Sequence, residues 1–186
     1  MRQRFCRLCA GEDGAVLTWA CVGGDDTNGV GAFVLVVWGV FFIMAVMSTV
    51  FTKIIEGEIP GRFVYRDANV VAFLTIEPIA PGHTLVVPVA EVDRWTDLQP
   101  ELWAQVNDVA QMVGNAIIDV FDAPRAGYLI AGFEVPHAHI HVFPAHDMSG
   151  YSLSNVNRNP DPAELDAAAA KLREALGTDE RGELVP

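Results

Sequence analysis

The sequence predicts an α+β domain built on a mainly antiparallel sheet. Short apolar runs with the alternation of strands occur in consecutive pairs joined by short connections. They outnumber the segments with helical periodicity, of which only residues 99–121 and 161–176 are long. Consecutive strands with short connections pair antiparallel, because a parallel pair needs a crossover of about a dozen residues or more. We therefore expect a sheet with helices packed on it, in one domain at residues 47–177.

The first half of this domain predicts one short helix and three strands. Residues 50–56 have helical spacing of apolar side chains, and Gly57 ends the helix. Residues 62–66 and 69–76 form a predicted hairpin, because turn residues flank both runs. Residues 83–88 follow a break at proline and glycine and make the third apolar strand.

The second half predicts the long helix and two further strands. Apolar side chains in residues 99–121 recur at steps of three and four, and Pro100 suits the first turn of the helix. Strands are expected at residues 128–132 and 135–143, after the turn that contains Pro124. The apolar stripe of the helix consists of Leu102, Val106, Val109, Val113, Ile117 and Phe121.

The last helix has clear signals at both ends. Asp161 can cap its start, and Pro162 fits its first position. The helix should end at Leu176, because Gly177 follows and glycine is the preferred residue just past a helix. Residues 178–186 have no periodic pattern, and we expect a disordered tail there.

Charge and cysteine usage exclude several classes of function. The formal net charge is −12, which argues against a nucleic-acid binder, because that affinity comes mostly from cations placed on phosphates. A single nucleotide can still bind through backbone amides and histidines. The three cysteines are Cys6, Cys9 and Cys21, so the domain has no disulfide framework, and a single C-x-x-C lacks the further ligands of a zinc site. We expect no cofactor and no thiolate metal site.

Residues 1–46 allow two interpretations. The run at residues 30–50 is almost entirely apolar and long enough to predict a transmembrane helix, which would make the protein membrane-anchored. Alternatively, a soluble, cytoplasmic domain begins at Met47, and residues 1–46 are an upstream extension from a misassigned start. We favour the second interpretation. The candidate histidines lie outside this segment in either case.

Three histidines alternate with apolar residues in the stretch VPHAHIHVFP at residues 135–144. Side chains alternate across a strand, so His137, His139 and His141 share one face, with neighbours roughly 6–7 Å apart. Three unrelated core histidines at this spacing are improbable, because a buried histidine needs a partner. Two interpretations remain: a zinc, copper or iron site, or a histidine nucleophile whose neighbours orient it and hold an anionic substrate.

The motif HAHIHVF resembles the signature of the histidine triad (HIT) family. The stretch FTKIIEGEIPGRFVYRDANVVAFLTIEPIAPGHTLVVP at residues 51–88 resembles the phosphoramidase-like (Hint) branch of that family, and the whole similarity covers residues 48–144. The resemblance implies a HIT-like fold, with a sheet of about five antiparallel strands, here with one long helix and a C-terminal helix. It also implies a homodimer whose sheets join.

The resemblance further implies a nucleotide hydrolase or transferase that works in two steps. His139 would attack the α-phosphorus of a nucleoside 5′-phosphoramidate or a dinucleoside polyphosphate and form a nucleotidyl-histidine. Water would then release the nucleoside monophosphate, AMP or GMP. His137 and His141 would orient His139 and contact phosphate oxygens. The purine and ribose would lie against five apolar residues that could equally be plain core: Val50, Phe51, Ile54, Phe73 and Ile76.

Several positions depart from the family pattern. Thr75 stands where members often have an aspartate for the ribose hydroxyls, and a hydroxyl cannot make the charge-assisted bonds of a carboxylate. Zinc-binding members have cysteines at the positions of Thr49 and Thr52 and a histidine at that of Glu91, so we expect no structural zinc. Glu134, in a short loop before the triad, is a candidate acid for the leaving group and a candidate nucleotide contact.

These departures favour one alternative function, a nucleotide-binding regulatory protein of the same fold with little catalysis. A metal-dependent hydrolase that uses the three histidines is the third candidate. His83 lies at the start of a predicted strand. We expect it to have a structural role rather than a catalytic one.

Overall fold

The computed structural model describes residues 32–37, 40–45 and 48–185. The chain divides into two compact units, residues 1–48 and residues 49–186. The described part of the first unit is an antiparallel pair of strands, β1 (Ala32–Val37) and β2 (Val40–Ala45). The predictions for Cys6, Cys9 and Cys21, and for a start at Met47, lie outside the described residues.

The structure differs from the transmembrane-helix interpretation of residues 30–50. The described residues of this run form the β1–β2 pair instead of a helix, with Ala32 opposite Ala45 and Val37 opposite Val40. Valine, phenylalanine and isoleucine dominate both segments, and these residue types favour strands over helices. Within residues 32–37, 40–45 and 48–185, no helix has the length and apolar character needed to cross a bilayer.

The second unit contains a five-stranded antiparallel sheet, which confirms the predicted fold class. The strands follow the spatial order β3-β4-β5-β7-β6. They are β3 (Arg62–Arg66), β4 (Val70–Leu74), β5 (Thr84–Pro88), β6 (Arg125–Leu129) and β7 (Ile140–Ala145). Three helices complete the unit: α1 (Val50–Glu56), α2 (Pro100–Phe121) and α3 (Pro162–Leu176).

Helices cover both faces of the sheet, and each face has its own apolar core. On one face, α2 and α3 pack against side chains that include Val86, Ile140 and Val142. On the other face, Phe51 of α1 packs with an aromatic cluster that includes Phe73. The strands β4 and β5 are buried along their whole length, because they lie in the middle of this three-layer arrangement. The candidate site lies on the α1 side of the sheet.

The helix ends follow the predicted signals. Gly57 ends α1 and Gly177 ends α3, both with the positive φ angle of a left-handed cap. The Asp161 carboxylate accepts a hydrogen bond from the Ala163 N–H at the start of α3. Gln99 precedes α2 but makes no capping hydrogen bond with its side chain.

The strand that carries the triad begins later than predicted. Residues 135–139 lie outside the sheet, and β7 starts at Ile140, so only His141 of the three histidines belongs to a strand. The partner β6 lies at residues 125–129 rather than 128–132, and its pairing stops where Leu129 meets His141. Pro136 has no N–H for a ladder, and the Ala138 N–H instead donates to the Val92 carbonyl at 2.7 Å.

The prediction of a disordered tail is wrong for residues 178–185. The Thr178 hydroxyl donates to the Val64 carbonyl at 2.8 Å, and the Arg66 N–H donates to the Gly182 carbonyl at 2.6 Å. Thr178 and Leu184 also form an isolated bridge. The strand β3 lies at the edge of the sheet, so its backbone groups need partners, and the tail supplies them. No local sequence pattern marks this contact.

Replacing Gly82 by alanine is expected to destabilise the protein more than replacing Gly57. Both glycines have φ near the same positive value, 82° and 84°, so alanine introduces backbone strain of about 1–2 kcal/mol at either position. A Cβ on Gly82 would also overlap the Phe121 ring, whereas a Cβ on Gly57 meets nothing within 4 Å. Overpacking adds about 1–3 kcal/mol. Urea unfolding of Gly82→Ala and Gly57→Ala measures the difference, and equal losses would contradict the expected overlap.

Candidate active site

The backbone of the triad segment fixes the tautomer of His139. Its Nδ1 lies 2.7 Å from the carbonyl oxygen of His137. A carbonyl can only accept, so Nδ1 carries the proton and donates it. A neutral imidazole has one such proton, and Nε2 of His139 therefore holds a free lone pair. This arrangement provides a nucleophilic nitrogen on a side chain that is only 7 % exposed.

A second chain of hydrogen bonds fixes the tautomer of His141. The Ile79 N–H donates to Nδ1 of His83 at 3.2 Å, so the proton of His83 is on Nε2. That Nε2–H donates to Nδ1 of His141 at 3.0 Å, which leaves the His141 proton on its own Nε2. The rings of His139 and His141 have centroids 4.9 Å apart. The site therefore combines a lone pair on one histidine with an N–H donor on its neighbour.

The ring of His137 makes its hydrogen bonds in the interior. It is fully buried. Its Nε2 lies 2.8 Å from the Pro88 carbonyl, and its Nδ1 lies 3.0 Å from the Thr49 hydroxyl. Both ring nitrogens are thus engaged by α1 and β5. Its carbonyl accepts the Nδ1–H of His139, as the predicted orienting role requires, and its contact with phosphate stays a prediction.

Burial keeps the histidines of the site neutral. Loss of solvent lowers the pKa of His83 to about 3 and that of His141 to about 4, and the neighbouring imidazoles add to both effects. Burial also lowers the pKa of His139 and of His137. The charge of Glu134 acts in the opposite direction on the pKa of His139, but it is a minor cause. A neutral His139 near pH 7 is the form that a nucleophile needs.

The predicted nucleotide-binding residues fall into two groups. Phe51 and Phe73 are buried, and the Phe51 ring stands edge-on to the His139 ring with centroids 4.9 Å apart. Ile54 packs half-buried on the same cluster. Val50 and Ile76 are exposed, at 42 % and 71 %. Phe51, Phe73 and Ile54 therefore belong to the core beside His139, whereas Val50 and Ile76 are accessible to solvent.

Thr75 and Glu134 lie on the loops around the histidines. The Thr75 N–H donates to the His83 carbonyl at 3.1 Å, which places Thr75 beside the start of β5. Its hydroxyl accepts from the Glu77 N–H at 3.2 Å. Glu134 is exposed in the bend before His137.

Sequence reasoning missed the role of His83. The residue was expected to be structural, and the structure makes it the hydrogen-bond partner of His141. Fifty-eight positions separate the two residues, so no local pattern connects them. A signal was nevertheless present, because a histidine after Pro81-Gly82 in the second matching stretch belongs to the family resemblance itself.

The comparison with known families decides the classification. The model of the HIT domain family matches residues 56–148, which is half of the chain. The chain belongs to the HIT family.

Two relatives and one solved structure place the protein within the HIT family. An uncharacterized HIT-like protein of Methanocaldococcus jannaschii is 34% identical over 105 residues, which cover 54% of this chain and 81% of that protein. Adenosine 5′-monophosphoramidase of Saccharomyces cerevisiae is 31% identical over 101 residues, 54% of this chain and 64% of that enzyme. A zinc-bound histidine triad family protein of Mycobacterium smegmatis has a TM-score of 0.61 at 31% identity and covers 70% of this chain and 94% of its own.

The residues of this HIT protein do not fit a structural zinc. Thr49, Thr52 and Glu91 lie beside His137, at the positions where the resemblance implies zinc ligands in some members. The Thr52 hydroxyl bonds to the Glu91 carboxylate, and the Thr49 hydroxyl bonds to the His137 ring. Structural zinc sites use thiolates and imidazoles, and threonine hydroxyls do not replace them.

Acidification below pH 6.5 is expected to destabilise the protein. In the unfolded chain the histidines bind protons near the ordinary pKa of 6.5, whereas folded His83 and His141 stay neutral down to about 3 and about 4. The unfolded state binds more protons between these values, so the free energy of unfolding decreases as the pH falls through this window. Urea unfolding at several pH values measures the slope, and it should be smaller in His83→Gln. A His83 ring that titrates near pH 6.5 by NMR would contradict the assignment.

Proposed function

We propose that this HIT protein is a nucleotide hydrolase or transferase that acts through a covalent nucleotidyl-histidine on His139. One observation carries the proposal: the rings of His139 and His141 have centroids 4.9 Å apart, and hydrogen bonds leave a lone pair on Nε2 of the first and an N–H on Nε2 of the second. A nucleophile next to a hydrogen-bond donor suits attack on a phosphate group, because the donor can stabilise charge on the phosphate oxygens.

The proposed reaction has two displacements at the α-phosphorus. Nε2 of His139 attacks, and the bond from phosphorus to the leaving amine or phosphate breaks. The Nε2–H of His141 donates to a phosphate oxygen, and Glu134 is the candidate donor of a proton to the leaving group. Water then attacks the phosphorus of the nucleotidyl-histidine and gives a proton to the Glu134 carboxylate. The bond from phosphorus to Nε2 breaks, which releases the nucleoside monophosphate and restores the neutral His139.

The preferred substrate class is the nucleoside 5′-phosphoramidates, with dinucleoside polyphosphates as the second class. The similarity to the S. cerevisiae adenosine 5′-monophosphoramidase supports the first class, as does the resemblance of residues 51–88 to the phosphoramidase-like branch. We place the base against the exposed Val50 and Ile76, in front of the aromatic pair Phe51 and Phe73. No metal or other cofactor takes part in this proposal.

A nucleotide-binding protein with little catalysis is the alternative. The hydroxyl of Thr75 already accepts a hydrogen bond from the Glu77 N–H. It therefore makes weaker hydrogen bonds to the ribose hydroxyls than the carboxylate that the resemblance implies at this position in other members. A ribose held more weakly would place the α-phosphorus less accurately in front of His139, and accurate placement contributes strongly to the rate.

We also propose a homodimer, with a cytoplasmic location. The dimer proposal is supported by the position of β6 at the edge of the sheet, next to α2. A cavity of about 520 Å³ opens between these two elements, and the exposed Tyr128 lies on its wall. An edge strand with free backbone groups is a suitable surface for pairing with a second copy.

The full chain is expected to release AMP from an adenosine 5′-phosphoramidate, with and without a chelator. His139→Ala should abolish release, because it removes the attacking nitrogen. Chromatographic detection of AMP measures turnover, and mass spectrometry of a reaction quenched in base should detect an adenylyl group on the wild-type chain only.

Other outcomes assign the protein to a different function. Turnover that the chelator stops and metal restores would establish a metal-dependent hydrolase. Tight AMP binding without turnover in the wild-type chain would establish the binding-protein alternative.

The dimer predicts a sedimentation mass of twice the chain mass. Tyr128→Glu should shift the equilibrium toward monomer, because it places a charge at the proposed junction. Tyr151→Glu is the matched control, since Tyr151 is similarly exposed, at 38% against 44%, and lies outside the sheet. A monomeric wild-type chain, or equal effects of the two substitutions, would contradict a dimer built on β6.

A further inference from the structure

A chain of four polar side chains connects the protein surface to His137. We call Glu91, Thr52, Thr49 and His137 the α1 relay. Glu91 accepts a hydrogen bond from the Thr52 hydroxyl, the two threonine hydroxyls lie 3.0 Å apart, and the Thr49 hydroxyl lies 3.0 Å from Nδ1 of His137. Two backbone bonds reinforce the relay, from Thr49 N–H to Glu91 and from Thr52 N–H to the Thr49 hydroxyl.

The direction of the hydrogen bonds in the relay follows from its inner end. Nε2 of His137 bonds to the Pro88 carbonyl and must donate, so Nδ1 of a neutral ring must accept. The Thr49 hydroxyl is therefore the donor to His137. At the outer end, a carboxylate can only accept, so the Thr52 hydroxyl donates to Glu91. Both hydroxyl protons are then used, so the contact between the two hydroxyl oxygens is not itself a hydrogen bond. The two ends of the relay are linked instead by the Thr52 N–H, which donates to the Thr49 hydroxyl, and by the Thr49 N–H, which donates to Glu91. The bonds to Glu91 lower the pKa of its carboxyl and keep it ionised.

The relay holds the group that sets the tautomer of the nucleophile. The ring of His137 is clamped between Thr49 on α1 and Pro88 on β5. The carbonyl of this same residue accepts the Nδ1–H of His139. Residues 135–139 have no sheet ladder to hold them, because β7 begins at Ile140. The clamped ring is thus a main anchor of the His137 carbonyl.

We propose that Thr49, Thr52 and Glu91 are positioning residues that act through His137 on His139. They hold the His137 carbonyl where it keeps the proton of His139 on Nδ1 and the lone pair on Nε2. The kinetic consequence of this proposal rests on the proposed nucleotidyl-histidine chemistry, whereas its effect on the tautomer does not.

The test compares two isosteric substitutions in the full chain. Thr49→Val removes the hydroxyl that donates to His137 and keeps the shape of the side chain. Thr178→Val is the matched control: Thr178 is equally buried at 8 %, its hydroxyl donates a single hydrogen bond to Val64, and it lies beside the edge strand β3, away from His137. Thr49→Ser keeps the hydroxyl and should rescue whatever Thr49→Val loses.

Thr49→Val is expected to lower kcat about tenfold and to leave KM unchanged. The loss appears in kcat because the relay orients the nucleophile and does not touch the nucleotide. In ¹⁵N NMR spectra of the histidine rings, His139 should change from a single tautomer with protonated Nδ1 to a mixture. Thr178→Val should lose stability without either change.

Each outcome decides the proposal. If Thr49→Val and Thr178→Val behave alike in kcat and in the His139 tautomer, the relay has only a structural role and the proposal is wrong. If the wild-type chain shows no turnover, the proposed function fails, and the tautomer measurement alone still decides the relay. Should Thr49→Val fail to fold, Thr52→Val takes its place, since Thr52 is less buried. An unchanged His139 spectrum in Thr52→Val would refute the proposal for the outer part of the relay.

Discussion

The hydrogen bond from His139 Nδ1 to the His137 carbonyl is the interaction on which the site depends. It requires a backbone carbonyl in one position and an imidazole that stays neutral. Burial satisfies the second requirement by lowering the pKa of the whole histidine cluster. The first requirement explains why α1, the end of β5 and residues 135–139 converge on one buried ring, that of His137. The five-stranded sheet supplies the rigid support for these segments.

Local patterns predicted the elements that support the site. The ends of α1 and α3 were readable because a glycine or a capping aspartate acts within one turn of the helix. The apolar stripe of α2 and the strands β3, β4 and β5 could be predicted because a buried face requires apolar residues at regular short intervals in the sequence. The three histidines of the triad were identified as the candidate site for the same reason.

The remaining features depend on contacts between distant residues. His83 and His141 are 58 positions apart, and Thr49 and His137 are 88 positions apart. No local pattern in the sequence therefore predicts either hydrogen bond. The late start of β7 has the same origin, since Ala138 bonds to Val92 rather than to a neighbouring strand. The tail was misjudged because its order comes from the edge of β3 and not from its own composition. Site residues were thus recognisable by type, but their roles were set by partners elsewhere in the chain.

The α1 relay is built from oxygen and nitrogen atoms only. The three cysteines of the chain all precede residue 22, so residues 22–186 contain no thiol. A zinc site made with cysteine thiolates loses ligands when oxidants convert them to sulfenic or sulfinic acids. Hydroxyl and carboxylate groups do not undergo that chemistry. Under the proposal, the orientation of His139 thus depends on groups that oxidants do not modify.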